Sequence, residues 1–258
     1  MTVTDINPAT GAAVAELNET DLSGLPERMQ RARTAQRHWA AKSFKERARH
    51  IDLMRRYIVD RAEDLAATVS DSNGKTRIDA LATEVLPCAL ACNWYAKNVG
   101  KVLGPQKRAA GHLLFANKRT EVSHLPLGVV GIISPWNYPL SIPFGEIVMA
   151  LMAGNAVLLK VAAATPAVGR AIERILDAGE LPEGLFQHIV GSGSKVATAF
   201  FENGIDKLFF TGSVPAGKTL MAQAAQTLTP VSLELGGNDA MVVLADADLE
   251  RATNGAAW

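Results

Sequence analysis

The sequence predicts an α/β protein, a doubly wound parallel sheet preceded by a helical region and a β-hairpin arm. Three observations carry this reading. Apolar side chains recur at helical spacing through residues 22–99, and beyond Gly128 five short apolar runs alternate with helical stretches. Two segments a hundred residues apart, Ser134-Pro135-Trp136-Asn137-Tyr138-Pro139 and Leu233-Glu234-Leu235-Gly236-Gly237, each place one chemically capable side chain where an apolar strand stops. Strand ends are where α/β enzymes keep their chemistry.

In chain order, Asn7-Pro8-Ala9-Thr10-Gly11 reads as a turn. Residues 22–99 read as three helices. The second opens on Ser43-Phe44-Lys45-Glu46, where hydroxyl and carboxylate can satisfy each other's orphan amides. Behind it Ile51, Met54, Tyr57, Ile58, Leu65 and Val69 form one apolar face. The third, over 78–99, contains Pro87, which should kink it. Residues 113–115 and 121–125 resemble two arms of a polar-faced hairpin, read equally as a subunit contact or an ordinary surface hairpin. The runs 129–133, 156–159, 187–190, 207–210 and 231–235 suit a buried parallel sheet. Thr165-Pro166 offers a capping hydroxyl and a proline at a helix start, with the helix ending at Gly179. The regions are therefore 1–111, helical; 112–127, hairpin; and 128–258, sheet.

With 258 residues, 48% of them hydrophobic and 20% charged, the chain can bury a sizeable core. Lys plus Arg equals Asp plus Glu at 26 each, so no net field favours nucleic acid or an anionic membrane. The first residues lack a basic segment followed by an apolar run, and no stretch reaches the ~20 apolar residues needed to cross a bilayer. The sequence reads as cytosolic (cytoplasmic), with neither nucleic acid nor membrane as partner. Cys88 and Cys92 lie four apart in an apolar helical segment and read as buried structural thiols. The five histidines are scattered, so no metal site is expected.

Gly212-Ser213-Val214-Pro215-Ala216-Gly217-Lys218-Thr219 fits the phosphate-binding loop of nucleotide triphosphatases, and Met241–Asp246 imitates the strand that ends in a magnesium-binding aspartate. That loop normally follows the first strand of its sheet, whereas here little chain remains after it. Lys218 is read as a solvated helix lysine, although the glycines and Ser213 at a helix start still suit a phosphate.

Taken together, Asn7-Pro8-Ala9-Thr10-Gly11, Gly128 through Pro139, Gly154 through Lys160, Phe210-Thr211-Gly212-Ser213, Leu233 through Gly237 and Asp246 through Leu249 resemble the aldehyde dehydrogenase superfamily along the whole chain. The resemblance implies a Rossmann-type sheet, NAD or NADP as coenzyme, a small-molecule aldehyde as substrate, oxidation to a carboxylic acid, and a homo-oligomer in the full-length form. Asn137 matches the asparagine whose amide stabilises the oxyanion, and Glu234 matches the glutamate that activates hydrolytic water. At the end of a buried strand Glu234 should be poorly solvated, which raises its proton affinity. Gly212 and Ser213 match the pyrophosphate contacts, and Lys160 matches the lysine reaching the adenosine ribose. Pro135, Trp136 and Leu235 match the residues that line the nicotinamide side.

The sequence departs from the family pattern in three places. The nucleophilic cysteine belongs after the base, and the 258 residues do not reach that segment, so the chain reads as an amino-terminal fragment unable to turn over aldehyde alone. Val161-Ala162-Ala163 follows Lys160 where the family commonly has Pro-Ser-Glu. Losing that carboxylate weakens an NAD-specific contact and removes repulsion against a 2'-phosphate. Ala197 stands where the family usually has glycine, which narrows a phosphate approach. A non-catalytic dinucleotide-binding or assembly module is the alternative, ahead of a phosphate-binding-loop nucleotide binder.

Overall fold

The computed structural model describes residues 1–109, 111, 112, 114 and 117–257. The chain opens with a hairpin, β1 (Thr2–Ile6) paired antiparallel with β2 (Ala13–Asn18). Its turn is the expected one: Asn7 Oδ1 accepts the amides of Ala9 at 2.9 Å and Thr10 at 3.2 Å, and Gly11 adopts φ 73°, a conformation that favours glycine. The flanking strands go beyond the turn expected from the sequence.

A helical layer follows: α1 (Leu25–Ala40), α2 (Phe44–Asp60), α3 (Ala62–Asn73), the single turn α4 (Arg77–Ala80) and α5 (Leu86–Leu103). The predicted capping box starts α2, with Glu46 Oε2 accepting the Ser43 amide at 2.7 Å and Ser43 Oγ accepting the Glu46 amide at 3.3 Å. Ile51, Met54, Ile58, Leu65 and Val69 are all buried, but they sit on two helices. The break falls at Arg61, whose backbone leaves the helical region at φ −115°, ψ 22°. The kink expected at Pro87 takes the form of a π-helical turn, Leu81–Val85, between α4 and α5. A proline has no amide to continue the ladder, so the chain widens one turn before it and restarts.

The short strands β3 (Gln106–Arg108) and β4 (Thr120–Val122) form an antiparallel ladder in which Gln106 faces Val122. Of the first arm expected for this hairpin, residues 113 and 115 lie outside the described residues; the ladder observed uses 106–108 instead.

The five-stranded sheet is parallel throughout, with β5 (Val129–Ile133), β6 (Ala156–Lys160), β7 (Phe186–His188), β8 (Lys207–Gly212) and β9 (Val231–Leu235) in the order β7-β6-β5-β8-β9. Between them run α6 (Ser141–Met152), α7 (Pro166–Ala178), α8 (Gly193–Glu202) and α9 (Val214–Thr227), with α10 (Leu249–Ala257) after β9. The strand order reverses between β5 and β8, and in such sheets a crevice opens outside the carboxyl ends at that switch.

Every residue of β5 and β6 is buried, as the near-continuous apolar runs required. The helical layer is tied to this sheet by polar contacts as well as packing. Trp39 is fully buried and donates its indole N–H to the Leu151 carbonyl at 2.7 Å. Asp206 accepts from Arg33 at 2.9 Å and from the Val129 amide at 2.7 Å, anchoring α1 and the start of β5 together. The start of α7 differs from expectation. Thr165 makes no side-chain cap; the buried Asp5 of β1 accepts the Ala167 amide at 3.0 Å and the Ser72 hydroxyl at 2.9 Å. A full carboxylate arriving from a distant strand replaces the local hydroxyl, and so joins hairpin, helical layer and sheet at one point.

At the other edge β9 pairs, among the described residues, only with β8, and its last residues, Glu234 and Leu235, are exposed. Residues 241–246 join no ladder and are exposed, so the imitation of a magnesium-binding strand has no counterpart in the fold.

Candidate active site

A cleft of about 1100 Å³ lies over the carboxyl ends of β5, β6, β8 and β9. Every site residue named from the sequence lines it: Pro135, Trp136 and Asn137 after β5, Lys160 at the end of β6, Gly212 and Ser213 after β8, and Glu234 and Leu235 ending β9. Parallel strands explain the convergence, since all their carboxyl ends open to one side of the sheet. The strand ends are also linked directly, the Ser134 amide donating to the Lys160 carbonyl at 3.1 Å.

Asn137 is exposed to the cleft, and its Oδ1 accepts the Tyr138 amide at 3.1 Å. With the oxygen engaged, Nδ2 is the end of the amide left to donate outward. The loop carrying it is held from beneath. Lys75 Nζ donates to the Asn137 carbonyl at 2.7 Å, lies 3.5 Å from the centroid of the Tyr138 ring, and pairs with Glu84 at 2.5 Å. Glu84 is fully buried in the π-helical turn, and its Oε2 accepts the Leu140 and Ser141 amides at 3.1 and 2.9 Å. It therefore caps α6 at the same point where Lys75 holds the loop. Sequence reasoning missed both residues, which lie more than fifty positions upstream. The trace available for Glu84 was an acid in an otherwise apolar helical run, while Lys75 lies in the polar turn between α3 and α4 and carried no signal.

The expectation that Glu234 ends a buried strand is not met: β9 is the edge strand of the sheet and Glu234 is exposed. The desolvated carboxyl of the cleft is Glu146 on α6, which the sequence reading did not single out. Burial, reinforced by the charge of Glu234, raises its pKa from 4.5 to about 8. Its Oε2 is buried and has no hydrogen-bond partner among the described residues. The signal available was an acid at a helix position whose neighbours, Phe144, Ile147, Val148 and Ala150, are all apolar.

The far half of the cleft is formed by the starts of two helices. Gly193 and Ser194, in the first turn of α8, and Ser213 and Ala216, at the start of α9, line it. Among the described residues no side chain caps α8, while Ser213 Oγ caps the Ala216 amide weakly at 3.4 Å. Free amides and two positive dipole ends face the same space. Lys160 is 7% exposed, makes no ion pair among the described residues, and has its pKa lowered by burial. A β-carbon on Gly193 would lie 3.4 Å from its Nζ, so the glycine leaves the ammonium room. Ala197 is buried and does not line the cleft, so the narrowing expected there does not occur. Lys218 is exposed and also outside the cleft, unlike the lysine of a phosphate-binding loop. The lining therefore offers backbone amides, one buried ammonium and apolar side chains together, a donor set that a dinucleotide fits.

Neither cysteine can serve as nucleophile here. Cys88 and Cys92 are both buried on α5, where desolvation pushes the Cys88 thiol well up and the Cys92 thiol to about 12. Among the described residues no cluster of His, Cys, Asp and Glu could hold a metal ion, and no helix is long and apolar enough to cross a membrane.

Comparison with known proteins agrees with this geometry. The profile of the aldehyde dehydrogenase family matches residues 1–258. A putative succinate-semialdehyde dehydrogenase [NADP(+)] of Mycolicibacterium smegmatis is 39% identical over 226 residues, covering 88% of this chain and 43% of the relative. The crystal structure of an aldehyde dehydrogenase from Brucella melitensis biovar abortus 2308 superposes with TM-score 0.92 at 32% identity, over 99% of this chain and 52% of that one. The NAD+ complex of an aldehyde dehydrogenase from Bacillus cereus gives TM-score 0.90 at 32% identity, over 99% and 52%. The chain spans about half the length of the curated relatives it matches.

Proposed function

The chain belongs to the aldehyde dehydrogenase family, and from that premise we propose that it is the coenzyme-binding part of an NAD(P)+-dependent enzyme oxidising an aldehyde to a carboxylic acid. The observation that carries the proposal is the convergence of Asn137, Glu234, Lys160 and two helix N-termini on a single cleft at the strand-order reversal. Bound NAD(P)+ would supply the hydride acceptor. The chain's own residues do the rest. Gly193, Ser194 and Ser213 cradle the pyrophosphate, and Pro135, Trp136 and Leu235 keep the nicotinamide in place. Asn137 Nδ2 donates to the oxygen that gains charge when the carbonyl is attacked, a fixed neutral donor needing no rearrangement. Glu234, open to solvent, takes a proton from the water that releases the acid. The thiolate such a reaction needs is supplied from outside these residues, since Cys88 and Cys92 are inert.

Lys160 is followed by Val161-Ala162-Ala163, with no carboxylate to bind a ribose diol or to repel a 2'-phosphate. This supports acceptance of NADP+ alongside NAD+. The regions follow the boundaries expected from the sequence, 1–111, 112–127 and 128–258, except that the arm's ladder begins at 106 and the first region also carries the hairpin of β1 and β2. The exposed ladder of β3 and β4 supports a role in pairing subunits of a homo-oligomer. Two reduced, buried thiols support a cytoplasmic setting.

The test is fluorescence titration of the chain with NADP+ and with NAD+, read from Trp136 in the cleft. Saturable quenching by both, lost in Lys160→Glu, is expected; no response to either coenzyme would remove the proposal.

A further inference from the structure

We propose that Glu146 and Thr211 hold the carboxamide of the nicotinamide ring, Glu146 accepting its N–H and Thr211 donating to its oxygen. The inference rests on the reading of the cleft as a dinucleotide site and adds to it the residues that fix which way the ring is turned. It starts from two polar atoms without partners. Among the described residues neither Glu146 Oε2 nor Thr211 Oγ1 makes a hydrogen bond, and both atoms are buried. Both residues line the cleft. A buried polar atom left unpaired costs free energy, and a ligand that pairs with it recovers that cost.

Placement puts both at the nicotinamide end. Ile133, the last residue of β5, faces Phe210 of β8 in register, so Thr211 comes at the level where the chain leaves β5 for Ser134, Pro135 and Trp136. On its other side Thr211 faces Glu234 of β9 in register. It therefore belongs to the floor of the cleft at the strand-order reversal, between the Asn137 loop and the end of β9. Glu146 comes from the wall. α6 begins at Ser141, directly after that loop, packs against β5, and brings Ile142 and Glu146, one helical turn apart, to the cleft. The terminal torsion of a glutamate is soft, so a small rotation turns an oxygen of its carboxyl toward a ligand. The chemistry of the two groups selects that ligand. A threonine hydroxyl can donate, and a glutamate carboxyl accepts in either protonation state, although burial favours the neutral acid and raises its pKa to about 8. One acceptor and one donor match a primary amide, which carries both an N–H and a carbonyl. An aldehyde has no hydrogen to donate, and in the proposed reaction its oxygen is met by Asn137. With the carboxamide held, the ring cannot turn about its bond to ribose, and one face of it is presented toward Asn137 and Glu234.

The test compares binding of NAD+ with that of 3-acetylpyridine adenine dinucleotide, in which a methyl group replaces the amide nitrogen. Tryptophan fluorescence titration is run on the wild type, Glu146→Gln, Glu146→Leu and Thr211→Val. The wild type should bind the analogue about tenfold more weakly, the effect of leaving one buried acceptor unpaired. Glu146→Gln keeps an acceptor and should keep most of that preference, whereas Glu146→Leu should bring the ratio close to one. Thr211→Val should weaken both dinucleotides by a similar factor and leave the ratio in place. A wild-type ratio near one overturns the proposal, and so does a ratio that Glu146→Leu leaves unchanged. Should Glu146→Leu not fold, the wild-type ratio and Thr211→Val decide, since undiminished affinity for both dinucleotides in Thr211→Val also overturns it. The coenzyme reading fails separately. If neither dinucleotide binds the wild type, that reading falls and this proposal with it; binding of both without preference removes only the carboxamide contacts.

Discussion

Lys75 Nζ sits 2.7 Å from the Asn137 carbonyl and 2.5 Å from a carboxylate oxygen of Glu84, so one ammonium joins the buried helical layer to the loop that presents the Asn137 amide. Lys75→Met would leave the fully buried Glu84 without its counter-charge. Stability should fall by about 3 kcal/mol, the low end for breaking a buried pair, because Lys75 keeps 19% side-chain exposure. Urea unfolding with an unchanged slope and a lower midpoint checks it.

Asn137→Ala removes the donor while leaving the loop anchored through its backbone carbonyl. In an enzyme completed with the cysteine-bearing segment, the chemical step should slow by about 2.7–4 kcal/mol with little change in coenzyme affinity. An effect confined to KM would contradict the assignment.

Glu234→Gln in the same setting should leave the first burst of hydride transfer partly intact and stall release of the acid. Pre-steady-state kinetics separates the two phases, and an unchanged steady-state rate would count against the base.

Glu146 also makes a prediction about stability. Its folded pKa is raised, so the native state binds more protons than the unfolded chain between 4.5 and about 8. Stability should therefore fall as pH rises through that window and level off above it, by an amount on the order of a few kcal/mol. Glu146→Gln should flatten this contribution, seen by comparing unfolding midpoints of the two proteins at each end of the window.

What was legible in the sequence had local causes. The strands 129–133 and 231–235 match β5 and β9 residue for residue; β5 is buried throughout and writes a continuous apolar run, whereas β9 lies at the edge and keeps apolar residues at 231, 233 and 235. The capping box at Ser43 and Glu46 is a contact between neighbours and was read correctly. What was not legible depends on distant partners. Asp5 capping α7 joins residues 162 positions apart, and the Glu84 contact with Leu140 spans 56. The solvation of Glu234 was misjudged because being an edge strand is a property of the sheet order, not of the strand. Glu146 was passed over because a lone acid on an apolar helix carries no motif; only the cleft it faces gives it meaning.

The central claim is that a dinucleotide lies along the cleft with its nicotinamide between the β5 loop and the end of β9. A crystal structure of the chain with NADP+ tests it most directly. The account predicts the pyrophosphate over the first turns of α8 and α9, the adenosine ribose at Lys160, and the nicotinamide within reach of both Asn137 and Glu234. Coenzyme bound elsewhere, or in the cleft with its nicotinamide away from both side chains, would contradict it.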